Sequence, residues 1–398
     1  MFTRSIPKSI DDITAKWLTK SLTKSGVMKN NSVRNVKSKI FGVGQGYIGT
    51  LARLTLEYDH PDDALPPTMI AKIPTSEPKN KILSEAFWNY ERENRLYEDV
   101  LEQVPIRTPR CYFSDYDPEV SVKLRKSVYN KFEELSQELS GLYFLYAGIR
   151  NIRFNRRYIL LLEDFGGLDQ ITHMDGCSFE DAKMVMKPLG NFHAAFWESP
   201  LLDKYWLTDP ADFSNLMGFL SNRWRPVIKR NEFQEKVNQK VLDIFEWINQ
   251  NNKKLDEYAK TRPYTLLHTD FRLDNFFFDR EKKELAIIDW QACCPGLGLF
   301  DTAYFIMNNC KEPLSQEQTK ELITIYHQGL VEGGVSNYSF EECLADYPYA
   351  LLLALRWWLI IIGGLEVDED PNIKELLSMV FDRTKPVLER LDMSEFFK

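Results

Sequence analysis

The chain has 398 residues, 44% of them hydrophobic and 13% aromatic, so it is long enough to bury a large interior in one large or two closely packed domains. A formal net charge of −8 and a pI near 5.4 argue against a surface that binds nucleic acid over its whole extent and favour small-molecule partners. The six cysteines form no C-x-x-C, and the stretch MFTRSIPKSIDDITAKWL lacks the continuous apolar core of a signal peptide, so a reduced, cytoplasmic protein is expected.

That N-terminal stretch reads as a helix start, with Ser9 as cap and Asp12 three residues on. From Val33 to Ile73 the runs VRNVKSKIF, TLARLTLEY and PPTMIAKI predict three strands joined by glycine and proline turns. Residues 84–104, SEAFWNYERENRLYEDVLEQV, carry Phe87, Tyr90, Leu96, Tyr97 and Val100 near helical spacing and predict a helix capped by Ser84. TPRCYFSDYD and RRYILLLEDFGGL predict two more strands, the second apolar enough for a buried position. Five strands and one helix make a first domain over 1–166.

Inside that domain, residues 119–157 interrupt what should be a short connection. Leu124, Val128, Phe132, Leu135, Leu139 and Leu142 step by four and three, as in an amphipathic helix. Its flanks are basic (Lys123, Arg125, Lys126, Arg150, Arg153, Arg156, Arg157), which fits either an extra helix packed on the body or a lid or partner surface. A second domain, 167–398, is expected to be mostly helical, with helices over 179–197, 231–250, 315–332, 340–363 and 371–392. Within it, YALLLALRWWLIIIGGL (349–365) carries Arg356 in its middle and reads as a buried helix, not a membrane span. A β-rich half followed by a helix-rich half suggests two lobes around a cleft.

FGVGQGYIGT contains Gly44, Gln45, Gly46 and Gly49 as G-x-G-x-x-G. A dinucleotide fingerprint would open a helix, but the following TLARLTLEY alternates like a strand, and no Gly-Lys-Ser/Thr is present for a Walker loop. A glycine hairpin between strands either brings backbone amides to phosphates or is a flexible turn with no ligand. Lys72, between Ile70 and Ile73, either meets an anion or snorkels to solvent. Of Glu85, Glu91, Glu93 and Glu98, Glu93 is the chosen partner. In LLHTDFRLDN (266–275) and the following LAIIDW, Asp270, Asn275 and Asp289 supply what phosphoryl transfer needs. One carboxylate accepts the proton of an attacking hydroxyl, and an amide oxygen and a second carboxylate hold Mg2+. Asp270 takes the first role, Asn275 and Asp289 the second. His268 reads as a brace, while Arg272 and Asp274 pair with each other or with neighbours, Arg272 within reach of a phosphate.

This order of glycine loop, strand lysine, H-x-D-x-x-x-x-N and strand aspartate resembles the aminoglycoside phosphotransferase and choline kinase superfamily. The segments TAKWLTKSL, GVGQGYIG, ENRLY, ILLLEDFGG, LGNFHAAFW, HTDFRLDNFFFD and IIDWQACCPGLGLFDTAYFI, in order over about residues 13 to 306, resemble its ecdysteroid-kinase-like, or CHK-kinase-like, branch. The resemblance implies an α+β, two-lobed protein-kinase-like fold, with a five-stranded antiparallel sheet and helix in the N-lobe and a mostly helical C-lobe. It also implies Lys72 as the phosphate-binding lysine, Glu93 as its partner, and Glu163, Asp164 and Phe165 as a hinge offering backbone groups to adenine. Asp270 would be the base, Asn275 and Asp289 the Mg2+ ligands, and Asp301 the residue that fixes the catalytic loop. His193, at a family position on an apolar helix face, reads as core packing. Thr269 departs from the family where glycine is common, and so does the 119–157 insertion.

The implied activity is an ATP- and Mg2+-dependent small-molecule kinase that transfers the γ-phosphate to an acceptor hydroxyl, with no nucleic acid partner and no membrane span. One alternative is a pseudokinase that binds without transferring. Another is a protein kinase, disfavoured because no D-F-G or A-P-E follows Asp289. A hydrolase built on two carboxylates leaves the glycine loop and Lys72 without roles. Adjacent Cys293 and Cys294 do not suit a tetrahedral metal site and read as buried thiols. Trp357 and Trp358, with Tyr347, Tyr349 and the acids of EVDED, are either walls of an acceptor pocket for a sterol-like alcohol or quaternary ammonium, or ordinary core residues. The acceptor and the oligomeric state stay open.

Overall fold

Period-two alternation produces the strands it predicts. In the computed structural model, which describes residues 6–41, 48–118, 156–364, 371–394, 396 and short pieces between 122 and 143, the chain divides into two compact units. Unit 1 comprises Met1–Leu124, Ala147–Leu168 and Ala286–Ala292; unit 2 comprises Arg125–Tyr146, Asp169–Leu285 and Cys293–Lys398.

Unit 1 is built on five strands, β1 (Val33–Phe41), β2 (Gly49–Tyr58), β3 (Thr68–Pro74), β4 (Cys111–Tyr116) and β5 (Tyr158–Leu162), in the order β1-β2-β3-β5-β4. Every neighbouring pair is antiparallel. β5, YILLL, is buried at each residue because it lies between β3 and β4, which accounts for its continuous apolar run. Helix α1 (Ala15–Lys24) starts later than expected: Thr14, not Ser9, is its cap, accepting from the Trp17 amide at 3.2 Å. Ser9 and Asp12 do form the expected capping pair, but of a separate one-turn 3-10 helix, Ile10–Asp12, the Ser9 amide donating to the Asp12 carboxylate at 3.0 Å.

The helix expected over 84–104 is two, α2 (Pro78–Ala86) and α3 (Asn89–Asp99). Ser84 lies inside α2, where its hydroxyl donates back to the Asn80 carbonyl at 2.8 Å, a local bond that takes it out of capping. The break falls at Trp88, whose φ of +56° is left-handed while its ring is buried. Packing of the indole overrides a backbone conformation that a bulky residue rarely adopts. The predicted helix of the 119–157 insertion lies largely outside the described residues, as do Gly44, Gln45 and Gly46 of the glycine loop.

Unit 2 contains β6 (Tyr264–Leu267), β7 (Phe276–Asp279), β9 (Cys294–Leu297) and the first half of β8 (Glu284–Ile287). β6 pairs with β9, and β7 with β8. Its longer helices are α4 (Phe179–Ala195), α5 (Ser214–Ser221), α6 (Gln239–Gln250), α7 (Asn252–Lys260), α8 (Leu299–Asn308), α9 (Gln316–Glu332), α10 (Phe340–Gly364) and α11 (Pro371–Arg390). α6 begins eight residues later than the expected 231 because Asn238 caps it, accepting from the Val241 amide at 3.1 Å. α8 escaped the periodicity because all of its residues are buried, so no polar face marks a helix. α10 is long and apolar enough to cross a membrane by length and composition alone. Within unit 2 much of it is buried, and its Arg356 makes a two-point pair with buried Asp256 at 2.7 and 2.8 Å.

Candidate active site

In unit 1 the strand lysine does not snorkel. Its register in β3, opposite Leu51 of β2 and Leu160 of β5, keeps its stem inside the sheet, and the side chain is 10% exposed. Nζ donates to Glu93 Oε1 at 2.8 Å and to Asp289 Oδ1 at 2.7 Å. Burial alone would lower the lysine's pKa, but the Asp289 and Glu93 carboxylates outweigh it and hold the ammonium above the ordinary lysine range. Glu93 is itself pushed up by burial, with Lys72 pulling against the rise and Asp289 adding to it. One cation therefore serves two carboxylates, with two of its three N–H donors.

Glu93 comes from α3 and Asp289 from the stretch after β8, where its φ of +66° is left-handed. The Asp289 Oδ2 accepts from the Gln291 side-chain amide at 3.2 Å, and the carboxylate keeps 27% of its surface exposed. Gly49, the described end of the glycine loop, approaches closely: a Cβ there would sit 3.3 Å from Lys72 Cε. The Tyr90 hydroxyl donates to the Ile48 carbonyl at 2.6 Å and ties that end of the loop to α3.

The expected hinge follows β5 directly. The Glu163 amide donates to the Arg110 carbonyl at 2.9 Å, and its carboxylate accepts from the Arg107 guanidinium at 3.0 Å and the Arg110 amide at 3.1 Å. Asp164 pairs with Arg53 at 2.6 Å and accepts from the Gly166 amide at 3.0 Å. Both acidic side chains are thus engaged with the scaffold, and Phe165 is buried under the Arg107 guanidinium, 4.8 Å from its ring centre.

In unit 2 the loop 268–275 is shaped by backbone bonds to fixed acceptors. Buried Asp301, in the first turn of α8, takes the His268 amide on Oδ2 at 2.7 Å and the Thr269 amide on Oδ1 at 2.9 Å. The Asn309 side-chain oxygen takes the Leu273 amide at 3.0 Å. Thr269 sits at φ +65°, the left-handed region that suits glycine, which makes threonine a strained occupant.

Asp270 projects from this loop with three donors around it. Arg272 Nε lies 3.0 Å from Oδ1, the Asn275 side-chain amide donates to Oδ2 at 3.0 Å, and the Tyr304 hydroxyl donates to Oδ1 at 3.3 Å. Burial would raise its pKa, but Arg272 first, then His268 and the Asn275 amide, overcome this and hold Asp270 below the ordinary aspartate range. Asn275 also donates to the Asp270 carbonyl at 2.8 Å, so its nitrogen is committed and its oxygen is the atom that can meet a cation. Arg272 continues to Asp274 at 3.0 Å, and Asp274 accepts the His173 amide at 2.7 Å.

Sequence reasoning missed several supports. His193 does more than fill the core: fully buried, it bonds Asp301 Oδ2 through Nε2 at 3.2 Å and the Tyr326 hydroxyl through Nδ1 at 2.9 Å. Gly298 leaves room for that pair, since a Cβ there would lie 2.5 Å from the Tyr326 hydroxyl. Trp358 is buried and stacks on Tyr304 with ring centres 5.7 Å apart at 13°, whereas Trp357 is half-buried. The indole nitrogen of Trp358 has no hydrogen-bond partner among the described residues. Trp358 therefore backs the tyrosine that touches Asp270.

Could the two oxygen sets suit Mg2+? Among the described residues no group of three or more His, Cys, Asp or Glu is gathered as a metal cage. Mg2+ in phosphoryl-transfer sites uses one or two protein oxygens, with phosphates and water completing its shell; the partly exposed Asp289 carboxylate of unit 1 and the Asn275 oxygen of unit 2 are each oxygens of that kind.

The sequence profile of the ecdysteroid kinase-like family matches residues 122–334, more than half of the chain. The chain belongs to the ecdysteroid kinase-like family. No curated protein matches it. Solved structures similar to it include the microcompartment-associated aminopropanol kinase, at 12% identity over 89% of this chain and 92% of that one, with a TM-score of 0.48. Plasmodium vivax ethanolamine kinase is similar at 11% identity over 90% and 84%, with a TM-score of 0.47. Choline kinase from Streptococcus pneumoniae is similar at 12% identity over 92% and 96%, with a TM-score of 0.44.

Proposed function

We propose that this protein is an ATP- and Mg2+-dependent kinase that phosphorylates the hydroxyl group of a small molecule. The observation that carries the reading is Lys72, a buried cation shared between Glu93 and Asp289 at 2.8 and 2.7 Å. A lysine so placed is charged at neutral pH and has a carboxylate to give up when a phosphate arrives. Membership of a kinase-like family supports the same reading.

In this reading Lys72 binds the phosphates and Glu93 keeps it aimed, while the backbone of 163–165 receives adenine. Asp270 stays ionised under its three donors, so it orients the acceptor hydroxyl as a hydrogen-bond acceptor and takes its proton as the bond to phosphorus forms. The γ-phosphoryl group moves to the acceptor oxygen while its bond to the β-phosphate oxygen breaks, leaving ADP. Asp289 and the Asn275 oxygen would hold Mg2+, which supplies charge neutralisation on the phosphate oxygens when bound. Tyr304, backed by the buried Trp358 ring, donates to Asp270 and helps keep the carboxylate aimed. The six free thiols support a cytoplasmic setting for this activity.

The test is an ADP-release screen with Mg-ATP over steroids, choline-like amines, sugars, aminoglycosides and simple alcohols. Acceptor-dependent ADP release is expected for one class. Tight Mg-ATP binding with no release for any class would replace the enzyme with a nucleotide-binding module.

A further inference from the structure

Two residues of the insertion's basic flank, Arg156 and Arg157, make specific contacts inside unit 1. Arg157 bonds both oxygens of Asp117 at 2.8 and 3.0 Å, and the Asp117 amide donates to the Arg157 carbonyl at 2.9 Å, so the two ends of the insertion are pinned at one point of unit 1. Arg156, 3% exposed, turns inward. Its Nη2 meets Glu91 Oε2 at 2.5 Å and its Nη1 lies 3.6 Å from Glu85 Oε2, while Nε donates to the Asp117 carbonyl at 3.0 Å. Glu91 and Glu85 are 0% and 1% exposed, and the Tyr158 hydroxyl also donates to Glu85. One buried guanidinium thus joins the root of the insertion to α2 through Glu85 and to α3 through Glu91.

α3 also carries Glu93. Residues two apart on a helix are separated by roughly 200° around its axis, so Glu91 and Glu93 leave α3 on nearly opposite sides. The helix is gripped by a buried charge on each: Arg156 on one, Lys72 on the other. Further anchors tie α3 to its neighbours, such as the Asn94 side chain on the Ile159 carbonyl at 3.1 Å and Arg92 on the Phe87 carbonyl at 2.8 Å, and Arg95 of the same helix also pairs with Glu91 at 2.9 Å. A buried ion pair adds little net stability over apolar packing, yet it admits few arrangements.

We infer that Arg156 is a positioning residue for the Lys72–Glu93 pair, fixing the rotation of α3 and thereby linking the root of the insertion to the phosphate-binding lysine. This rests on the reading of Lys72 given under Proposed function. The test measures the Kd of Mg-ATP and of adenosine by calorimetry on the full chain. It compares wild type, Arg156→Met, and a triple variant, Arg156→Met with Glu85→Gln and Glu91→Gln, which strands no buried carboxylate and so guards against misfolding. Expected is Mg-ATP affinity about tenfold weaker in both variants, with adenosine, which has no phosphates for Lys72 to hold, bound as in wild type. A triple variant that binds Mg-ATP within about twofold of wild type overturns the inference, and so does an equal loss for adenosine, the mark of general damage. Failure of the wild-type protein to bind Mg-ATP is a different outcome: it removes the reading of Lys72 itself, and the inference with it.

Discussion

The cluster around Lys72 and the loop around Asp270 are held by different forces. In unit 1 the functional side chains hold one another: Lys72, Glu93 and Asp289 form a three-charge group whose geometry follows from where β3, α3 and the stretch after β8 deliver them. In unit 2 the loop is shaped before its functional side chains enter, because Asp301 and Asn309 take the amides of His268, Thr269 and Leu273. A charge group of the first kind can exchange partners when a new anion arrives, which suits a ligand-binding lysine. A loop of the second kind cannot, which suits a base that must stay aimed.

The largest expected effect separates chemistry from frame. Asp270→Asn removes the proposed base but none of the loop's backbone bonds, so turnover should fall by roughly two to four powers of ten while the melting temperature stays near wild type. Retained turnover would take Asp270 out of the role. Asp301→Ala attacks the frame instead, stranding two buried amides and the His193 ring, and should cost on the order of 3 kcal/mol in denaturant unfolding. A loss below about 0.5 kcal/mol would mean the loop is held elsewhere.

Lys72→Ala should leave the unit 2 loop intact but abolish most of the stabilisation that Mg-ATP gives the wild type, about 2.7 kcal/mol at a concentration 100 times Kd. An unchanged rise in melting temperature would sink the phosphate assignment. A pH test addresses the loop's far side, where burial, with the Arg272 charge acting in the same direction, lowers His173 to about 4. The folded protein then keeps this histidine neutral while the unfolded chain protonates it near 6.5. Its contribution is full above that pH and is lost as pH falls toward 4, by roughly 2–3 kcal/mol. Unfolding curves of wild type and His173→Gln should diverge over that window, and parallel curves would refute the assignment. Smallest is Thr269→Gly, which relieves a β-branched residue at φ +65° and should stabilise the protein by about 1 kcal/mol. A destabilised variant would show that the threonine side chain contributes more than its backbone costs.

The sequence marks the two clusters unequally. Lys72 and Asp289 are recognisable as polar residues in or beside apolar strands, Asp270 and Asn275 by their spacing after His268, and Glu93 as one of four nearby glutamates, while β2 and β3 alternate clearly. The supports are harder to see. His193 looks like any histidine on an apolar helix face, and its partner Asp301 is 108 positions away. Tyr304 lies on α8, whose residues are all buried, so neither its helix nor its contact with Asp270 leaves a pattern. The break between α2 and α3 depends on Trp88 accepting a left-handed backbone, which no propensity anticipates. Arg156, grouped by composition with a basic flank, is buried against two glutamates. Residues whose role is set by their own chemistry can be read locally, whereas residues that act through a distant partner need the fold.

The most direct measurement is mass spectrometry of the acceptor after incubation with the wild-type protein, Mg-ATP and whichever alcohol stimulates ADP release. A gain of one phosphoryl group on that acceptor, absent with Asp270→Asn, is the predicted result. ADP release with inorganic phosphate and an unmodified acceptor would contradict the account, because it would make the protein a hydrolase and leave Asp270 aimed at water.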